Sequence, residues 1–346
     1  MANTWIDEKK RDAIFERLLQ ALKKKEYPYN IALLPQRKEN LPDTILYGSR
    51  EHALFLFAAC FWMRGTRSET AFRGLRIIYE KYPGLFLPEG YPSNGKGNDG
   101  MAEIIHHVLS NRANPQALAF KSEEISRFWP LNFAKLHRFW GSDPTNLLRG
   151  THDYHEYYHR MVNGGNISPD NPNGFWGFRE KMASMFAYFI ADAGMVDPSL
   201  FPVPVDFHVL RVLVSHQILV SDNPLETNFR TEAALQQVRN TVVDYCDKYG
   251  ESPLALSDAL WLLSMLICAN NPENAAQRGK YRARKTKIVH KSARWAEQRT
   301  LRAYMSSCGS CPAPCVYNIS SAEYYLKGRL KISSTRTTPP TLFENK

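Results

Sequence analysis

The feature that most constrains the fold is a nearly continuous apolar segment from His52 to Met63. It is too short to cross a bilayer, which takes about 20 apolar residues in a helix. We therefore expect it to form a helix at the centre of a protein core. Apolar residues recur at helical spacing along most of the chain, and strand-like alternation is scarce, which predicts an all-α fold. Further helices are expected at residues 6–25, 68–81, 101–109, 122–128, 131–139, 144–148, 179–193, 232–249 and 254–268.

The composition indicates a globular protein with a polyanionic partner. Hydrophobic residues make up 44% of the 346 residues and aromatic residues 12%, enough for a packed core and for two domains. The formal net charge of +10 favours a polyanion, but charge alone does not separate DNA from RNA or an acidic membrane surface. The N-terminal sequence MANTWIDEKKRDAIF lacks the basic-then-apolar pattern of a secretory signal. We therefore expect a soluble, cytoplasmic protein without a membrane partner.

A lysine and an aspartate stand near the starts of two successive predicted helices. Gly174 and Gly177 flank a tight aromatic turn, after which a helix is expected from about Arg179. Lys181 lies in its first turn, where the helix dipole disfavours a cation and so helps an amine to act as a nucleophile. Asp206 follows a proline-rich connection and has the position of a helix N-cap. The alternatives are that Lys181 contacts a phosphate and that Asp206 only caps its helix.

These two segments resemble a known protein family. The segments GFREKMA, from Gly177 to Ala183, and VDFHVLRV, from Val205 to Val212, are similar to two motifs of the helix-hairpin-helix DNA glycosylases of the endonuclease III type. Family members read roughly G-V-G-R-K-T-A and V-D-T-H-V-x-R-V. Arg179 stands where the family has its second hairpin glycine, and the connection to the aspartate is longer here. The resemblance covers roughly residues 49–315.

The resemblance implies two helical domains that flank a cleft, with a helix-hairpin-helix motif and a C-terminal metal-cluster loop. Residues 50–194 would form one domain, which ends in the helix-hairpin-helix, and residues 1–49 would join residues 195–315 in the other. Residues 316–346 are expected to form a poorly ordered tail.

The resemblance also implies a DNA glycosylase with AP lyase activity, which acts as a monomer on double-stranded DNA with a damaged or modified base. Lys181 would attack C1′ of an everted nucleotide, displace the base and form a Schiff base that permits β-elimination. Asp206 would stabilise positive charge on the sugar. Gly174, Gly177 and Arg179 would contact the DNA. Two alternatives are a glycosidase of this fold that acts on RNA or a modified nucleoside, and a catalytically silent DNA-binding relative.

Aromatic residues supply candidates for the pocket that receives an extruded base, because aromatic faces stack on bases. The candidates are Trp129, Trp140, Tyr154, Tyr157 and Trp176. On a helix His155 and His159 would share a face, as in some zinc sites, but the His-Glu-x-x-His order is missing. An aromatic pocket lining is therefore favoured over a metal site at these histidines.

Three cysteines near the C-terminus have the close spacing that wraps thiolates around a metal centre. They are Cys308, Cys311 and Cys315. The resemblance implies Cys268 as a fourth ligand and a [4Fe-4S] cluster as the cofactor, because in the iron-sulfur branch of the family a tryptophan-bearing helix ends in the first cysteine. Thiolate spacing alone does not separate the cluster from zinc, and His290 or Cys246 could instead complete the site.

A strongly basic segment lies between Cys268 and Cys308. Residues 277–302 are rich in arginine and lysine and contain one acidic residue, Glu297. Such a run can bind phosphates with release of counterions, and Arg282 and Lys285 are its candidate DNA contacts. The alternative is a solvated loop.

Overall fold

The computed structural model describes residues 3–25, 28–63, 68–92, 98–110, 121–151, 153–197, 203–268, 315–319 and 328–335. This part of the chain is predominantly helical, which confirms the expected helical class. Its α-helices are α1 (Glu8–Lys23), α2 (Arg50–Trp62), α3 (Ser68–Lys81), α4 (Asn98–Ser110), α5 (Ser122–Trp140), α6 (Tyr154–Val162), α7 (Glu180–Asp192), α8 (Phe207–Ser215), α9 (Glu232–Tyr249) and α10 (Pro253–Leu262). Its strands are β1 (Thr4–Ile6), β2 (Leu219–Ser221), β3 (Tyr317–Ile319) and β4 (Ile332–Thr335).

The chain divides into two compact units. The continuous segment Ala32–Pro204 forms one, called here the central unit. The terminal unit combines Met1–Ile31 with Val205–Lys346, so both ends of the chain contribute to it.

Helix α2 is the core helix of the central unit. Every residue from His52 to Trp62 is buried, as the continuous apolar sequence predicts. Helices α3, α5 and α7 pack against it. The ring of Phe57 stacks on that of Phe178 at 5.0 Å between centroids and meets Phe175 edge-on at 5.5 Å. Because both partners belong to the loop before α7, the core of this unit also fixes that loop.

Helix α5 is continuous, although the sequence predicts two helices separated near Pro130. Proline lacks a backbone N–H and its ring clashes with the preceding turn, which disfavours it inside a helix by about 3 kcal/mol. Here Pro130 lies inside α5 and is flanked by the fully buried side chains of Trp129 and Phe133. Burial of these large rings offsets the cost of the proline, so the helix runs on to Trp140.

The terminal unit joins distant parts of the sequence. Strand β1 pairs antiparallel with β2, with Trp5 opposite Val220. Helix α1 packs against α10, and α8 contacts both α10 and β3. The segment expected to form a poorly ordered tail includes β3 and β4, which pair antiparallel and bury Ile319 and Ile332. The amide of Val316 donates to the carbonyl of Ser215 (2.8 Å), so these strands belong to the folded unit.

Among the described residues, no helix combines the length and the apolar character that crossing a membrane requires.

Candidate functional site

Lys181 is the second residue of α7 and is exposed. Its position in the first turn of a helix is the one that the sequence predicts. The N-cap is Arg179, whose extended backbone (φ −130°, ψ 177°) needs no left-handed conformation. An arginine is therefore compatible with this position, where the family that the segment resembles has a glycine.

The loop before α7 depends on two glycines. Gly174 and Gly177 have φ values of +79° and +85°, a region that side chains with a Cβ rarely adopt. At Gly174 a Cβ would also lie 3.2 Å from both the Cβ of Asn163 and the carbonyl oxygen of Asn166. The backbone of the loop is therefore packed closely against the turn that follows α6, and a Cβ at Gly174 would force its neighbours to move apart.

Two side chains of α5 hold this loop, and sequence reasoning missed both. The buried ammonium of Lys135 donates to the carbonyls of Gly174 (2.5 Å) and Asn173 (3.2 Å). It also lies 4.7 Å from the ring centroid of Trp176. Asn132 bonds to Trp176 twice, because its Nδ2 donates to the carbonyl and its Oδ1 accepts from the amide, both at 2.9 Å. We call Lys135 and Asn132 the α5 clamp.

The charge of Lys135 is energetically unfavourable where it lies. Burial lowers the pKa of Lys135 from 10.5 to about 8. A neutral amine still has two N–H groups, enough to donate to both carbonyls. The clamp can therefore persist when Lys135 loses its proton.

Helix α6 holds the first turn of α7. The buried hydroxyl of Tyr157 donates to the carbonyl of Ala183 (2.6 Å). The hydroxyl of Tyr154 is hydrogen-bonded to that of Ser184 (3.3 Å). Because Ser184 is three residues after Lys181, the half-buried ring of Tyr154 belongs to the surroundings of the lysine.

The five aromatic candidates fall into two groups. Trp129 is completely buried among the core rings and its Nε1 donates to the carbonyl of Leu85 (2.8 Å); Tyr157 is 1% exposed. These two have no surface with which to stack on a base. Trp140, Tyr154 and Trp176 are partly exposed. The indole of Trp140 is fixed to the loop before α7, because its Nε1 donates to the carbonyl of Pro172 (3.0 Å).

Asp206 is the N-cap of α8, as the sequence predicts. Its Oδ1 accepts from the amides of His208 (2.7 Å) and Val209 (3.1 Å), and the residue is buried. These bonds satisfy two of the four N–H groups that a helix leaves without partners at its N-terminus. The cap therefore fixes the orientation of the carboxylate. Lys181 belongs to the central unit and Asp206 to the terminal unit.

A π-helical turn contacts the first turns of α8. Residues Leu263–Ile267 continue α10 as a π-helix, a form that often occurs at functional sites. Within it Ser264 is hydrogen-bonded through Oγ to Nδ1 of His208 (3.1 Å), and its carbonyl accepts from Nη1 of Arg211 (3.2 Å). The guanidinium of Arg211 also lies 4.2 Å from the ring centroid of Phe207. The buried Arg211 was noted from the sequence only as part of a family motif.

The cysteine site lies only partly within the described residues. Cys268 follows the π-helix and Cys315 precedes β3, and both side chains are partly exposed. Cys308, Cys311, Arg282, Lys285 and His290 lie outside the described residues. Within those residues, no group of three or more histidine, cysteine or acidic side chains could hold a metal.

Cys246 fits poorly as the fourth ligand. A metal binds the thiolate form of cysteine, and burial raises the pKa of Cys246 to about 12. Burial likewise raises the pKa of Cys60. Of the four described cysteines, Cys60 and Cys246 are buried, whereas Cys268 and Cys315 are partly exposed.

The sequence matches no model of a known protein family and no curated protein.

Proposed function

We propose that the protein is a DNA glycosylase with AP lyase activity, which removes a damaged or modified base from double-stranded DNA through a Schiff base on Lys181. The observation that carries the proposal is the placement of Lys181. It is an exposed lysine in the first turn of α7. The α5 clamp bonds to the loop before this helix, and the tyrosines of α6 bond to Ala183 and Ser184 just after the lysine. A nucleophile gains most from a fixed position, because orientation lowers the barrier of the attack.

The reaction uses the amine and the carboxylate in complementary ways. The neutral amine of Lys181 would attack C1′ of the sugar, and the bond to the base breaks with its electron pair leaving on the base. Opening of the sugar ring and loss of the amine proton give the Schiff base. Removal of a proton from C2′ then expels the 3′ phosphate by β-elimination. The carboxylate of Asp206 would stabilise the positive charge that develops on the sugar.

The partly exposed aromatic rings would receive the extruded base. Tyr154 is the first candidate, because its hydroxyl is bonded to a residue of the helix that carries Lys181. Gly177 and Arg179 would approach the DNA backbone from the loop before α7, and the net charge of +10 would attract the polyanion. Gly174, the third residue of this loop that the sequence offered as a DNA contact, is buried and has both its amide and its carbonyl hydrogen-bonded within the protein, so it would hold the loop in shape and not touch DNA.

A metal centre is part of the proposal as a structural element. Cys268 and Cys315, together with Cys308 and Cys311, would hold a [4Fe-4S] cluster, with zinc as the alternative. When bound, the centre would cross-link the C-terminal segment of the terminal unit.

Borohydride trapping tests the Schiff base. The protein is incubated with a duplex that carries one abasic site, the mixture is reduced, and covalent adducts are separated by electrophoresis. The wild-type protein is expected to form an adduct and Lys181→Ala to form none. Lys121→Ala is the matched control, because Lys121 is also a lysine at a helix start in the central unit and its side chain is partly exposed. An adduct that survives in Lys181→Ala would refute the assignment of the nucleophile.

The second candidate is a DNA-binding protein without catalysis, and one observation favours it. The cap bonds of Asp206 already give that carboxylate a structural role. Asp206→Asn removes the negative charge and keeps the helix cap, because asparagine caps helices about as well as aspartate. For the enzyme we expect unchanged thermal stability and strand nicking slower by about 10²-fold or more. If the wild type binds duplex DNA in a salt-sensitive manner but forms no adduct, the result would favour a DNA-binding protein without catalysis. Turnover of free nucleosides would instead favour a nucleoside glycosidase.

A further inference from the structure

Ser264 contacts three residues of the terminal unit, His208, Arg211 and Cys268. It is completely buried in the π-helix Leu263–Ile267. Its hydroxyl is bonded to the imidazole of His208 (3.1 Å) and its carbonyl oxygen accepts from the guanidinium of Arg211 (3.2 Å). The same carbonyl accepts from the amide of Cys268. Ser264 thus joins α8 to the segment that leads to Cys268.

The contacts of Ser264 reach the carboxylate of Asp206 through a single residue. His208 bonds to Ser264 with its ring, and with its amide it donates to Oδ1 of Asp206 (2.7 Å). Arg211 fastens the next turn of the same helix and is 1% exposed. Ser264 therefore holds the first turns of α8 at two points, on either side of the second amide that Asp206 accepts.

We propose that Ser264 is a positioning residue that sets the orientation of the Asp206 carboxylate through His208 and Arg211. The catalytic meaning of this proposal rests on the proposed glycosylase function. Its structural part stands on the contacts alone. Without the hydroxyl, Nδ1 of the partly buried imidazole of His208 loses its bond to Ser264, and the ring is then free to shift toward another partner. Its amide would move with it and alter the cap bonds of Asp206.

Ser264→Ala removes the hydroxyl and leaves the carbonyl in place. The matched control is Ser257→Ala in α10, because Ser257 is also a buried serine but its hydroxyl donates to the carbonyl of Pro253 (2.8 Å). We measure nicking of a duplex with one abasic site. For Ser264→Ala we expect kcat to fall about tenfold, since small displacements of reacting groups cost that much or more, with an unchanged KM. Ser257→Ala should keep both values.

A second variant identifies the route of the effect. In an Asp206→Asn background, Ser264→Ala should lower kcat no further, because residues that act as one unit are not additive. A full tenfold additional loss there would overturn the proposal. So would a rise in KM with unchanged kcat, or equal effects of Ser257→Ala.

Amide hydrogen exchange tests the structural part without any activity. The amides of His208 and Val209, both bonded to Asp206, should exchange about tenfold faster in Ser264→Ala and at the wild-type rate in Ser257→Ala. If the wild type forms no Lys181-dependent adduct, the proposed function fails, while faster exchange still supports the hold of Ser264 on the cap. Unchanged exchange in Ser264→Ala overturns the proposal whatever the activity.

Discussion

At the scale of single residues, the burial of Lys135 predicts an unusual pH dependence of stability. Burial lowers the pKa of this lysine to about 8, whereas an unfolded chain leaves it near 10.5. Between these values the unfolded state binds more protons, so the free energy of unfolding rises with pH. The cost of the buried charge is fully present below pH 8. We expect the unfolding free energy of the wild type, relative to Lys135→Met, to increase from pH 8 to pH 10.5 in urea titrations.

The control for this prediction is Lys121→Met, which removes a partly exposed lysine that pairs with Glu124. The unfolding free energy of the wild type, relative to Lys121→Met, should not rise over the same pH range. If the difference in unfolding free energy between wild type and Lys135→Met did not change with pH, burial would not disfavour the charged form of Lys135.

The sequence contains a partial signal for the α5 clamp. Asn132 falls on the face of α5 that also presents Trp129, Phe133 and Leu136, and a polar residue on such a face needs a partner. Lys135 gives no such signal, because a lysine beside an apolar stripe usually faces solvent. Its partners are carbonyls that lie 38 and 39 residues further along the chain. Only the tertiary fold brings them together, so no local pattern predicts this contact.

At the scale of elements, the loop before α7 predicts a specific response to substitution. Gly174→Ala places a Cβ within 3.2 Å of two atoms at a φ of +79°. Gly164→Ala is the matched control, since Gly164 has a φ of +58° but open space around the added Cβ. Left-handed backbone alone disfavours alanine by about 1–2 kcal/mol. We expect Gly174→Ala to destabilise the protein more than Gly164→Ala by at least about 1 kcal/mol in chemical denaturation, because overpacking adds to the strain.

The same loop would also carry the DNA contacts, so Gly174→Ala should weaken binding to an abasic-site duplex and Gly164→Ala should not. Fluorescence anisotropy measures both. Equal stability and equal binding of the two variants would mean that the close packing at Gly174 does not matter for the loop.

The elements themselves were predicted to different degrees. The helices at 68–81 and 232–249 have the predicted bounds, because their apolar residues recur regularly and clear breaks flank them. Lys181 and Asp206 lie at the starts of α7 and α8 as expected, since glycine turns and N-caps are local signals. The strands β1 and β2 pair with each other, have three residues each, and lie more than 200 residues apart in the sequence. Pairs this short and distant leave no periodicity in the sequence.

At the scale of the whole molecule, the division into two units predicts where core substitutions act. Phe15 of α1 and Phe57 of α2 are both completely buried, and the first belongs to the terminal unit and the second to the central unit. Phe15 meets Tyr245 of α9 edge-on at 5.2 Å between ring centroids, which ties the N-terminal segment to the later part of the chain.

Substitution of a buried phenylalanine by alanine costs about 3–5 kcal/mol. Phe15→Ala should therefore accelerate amide exchange mainly in α1, α9 and α10, and Phe57→Ala mainly in α2, α5 and α7. The pair of variants is its own control, because the change in side chain is the same. If each variant accelerated exchange equally in both sets of helices, the two units would unfold as one, and the cap of Asp206 would lose stability together with the loop that precedes Lys181.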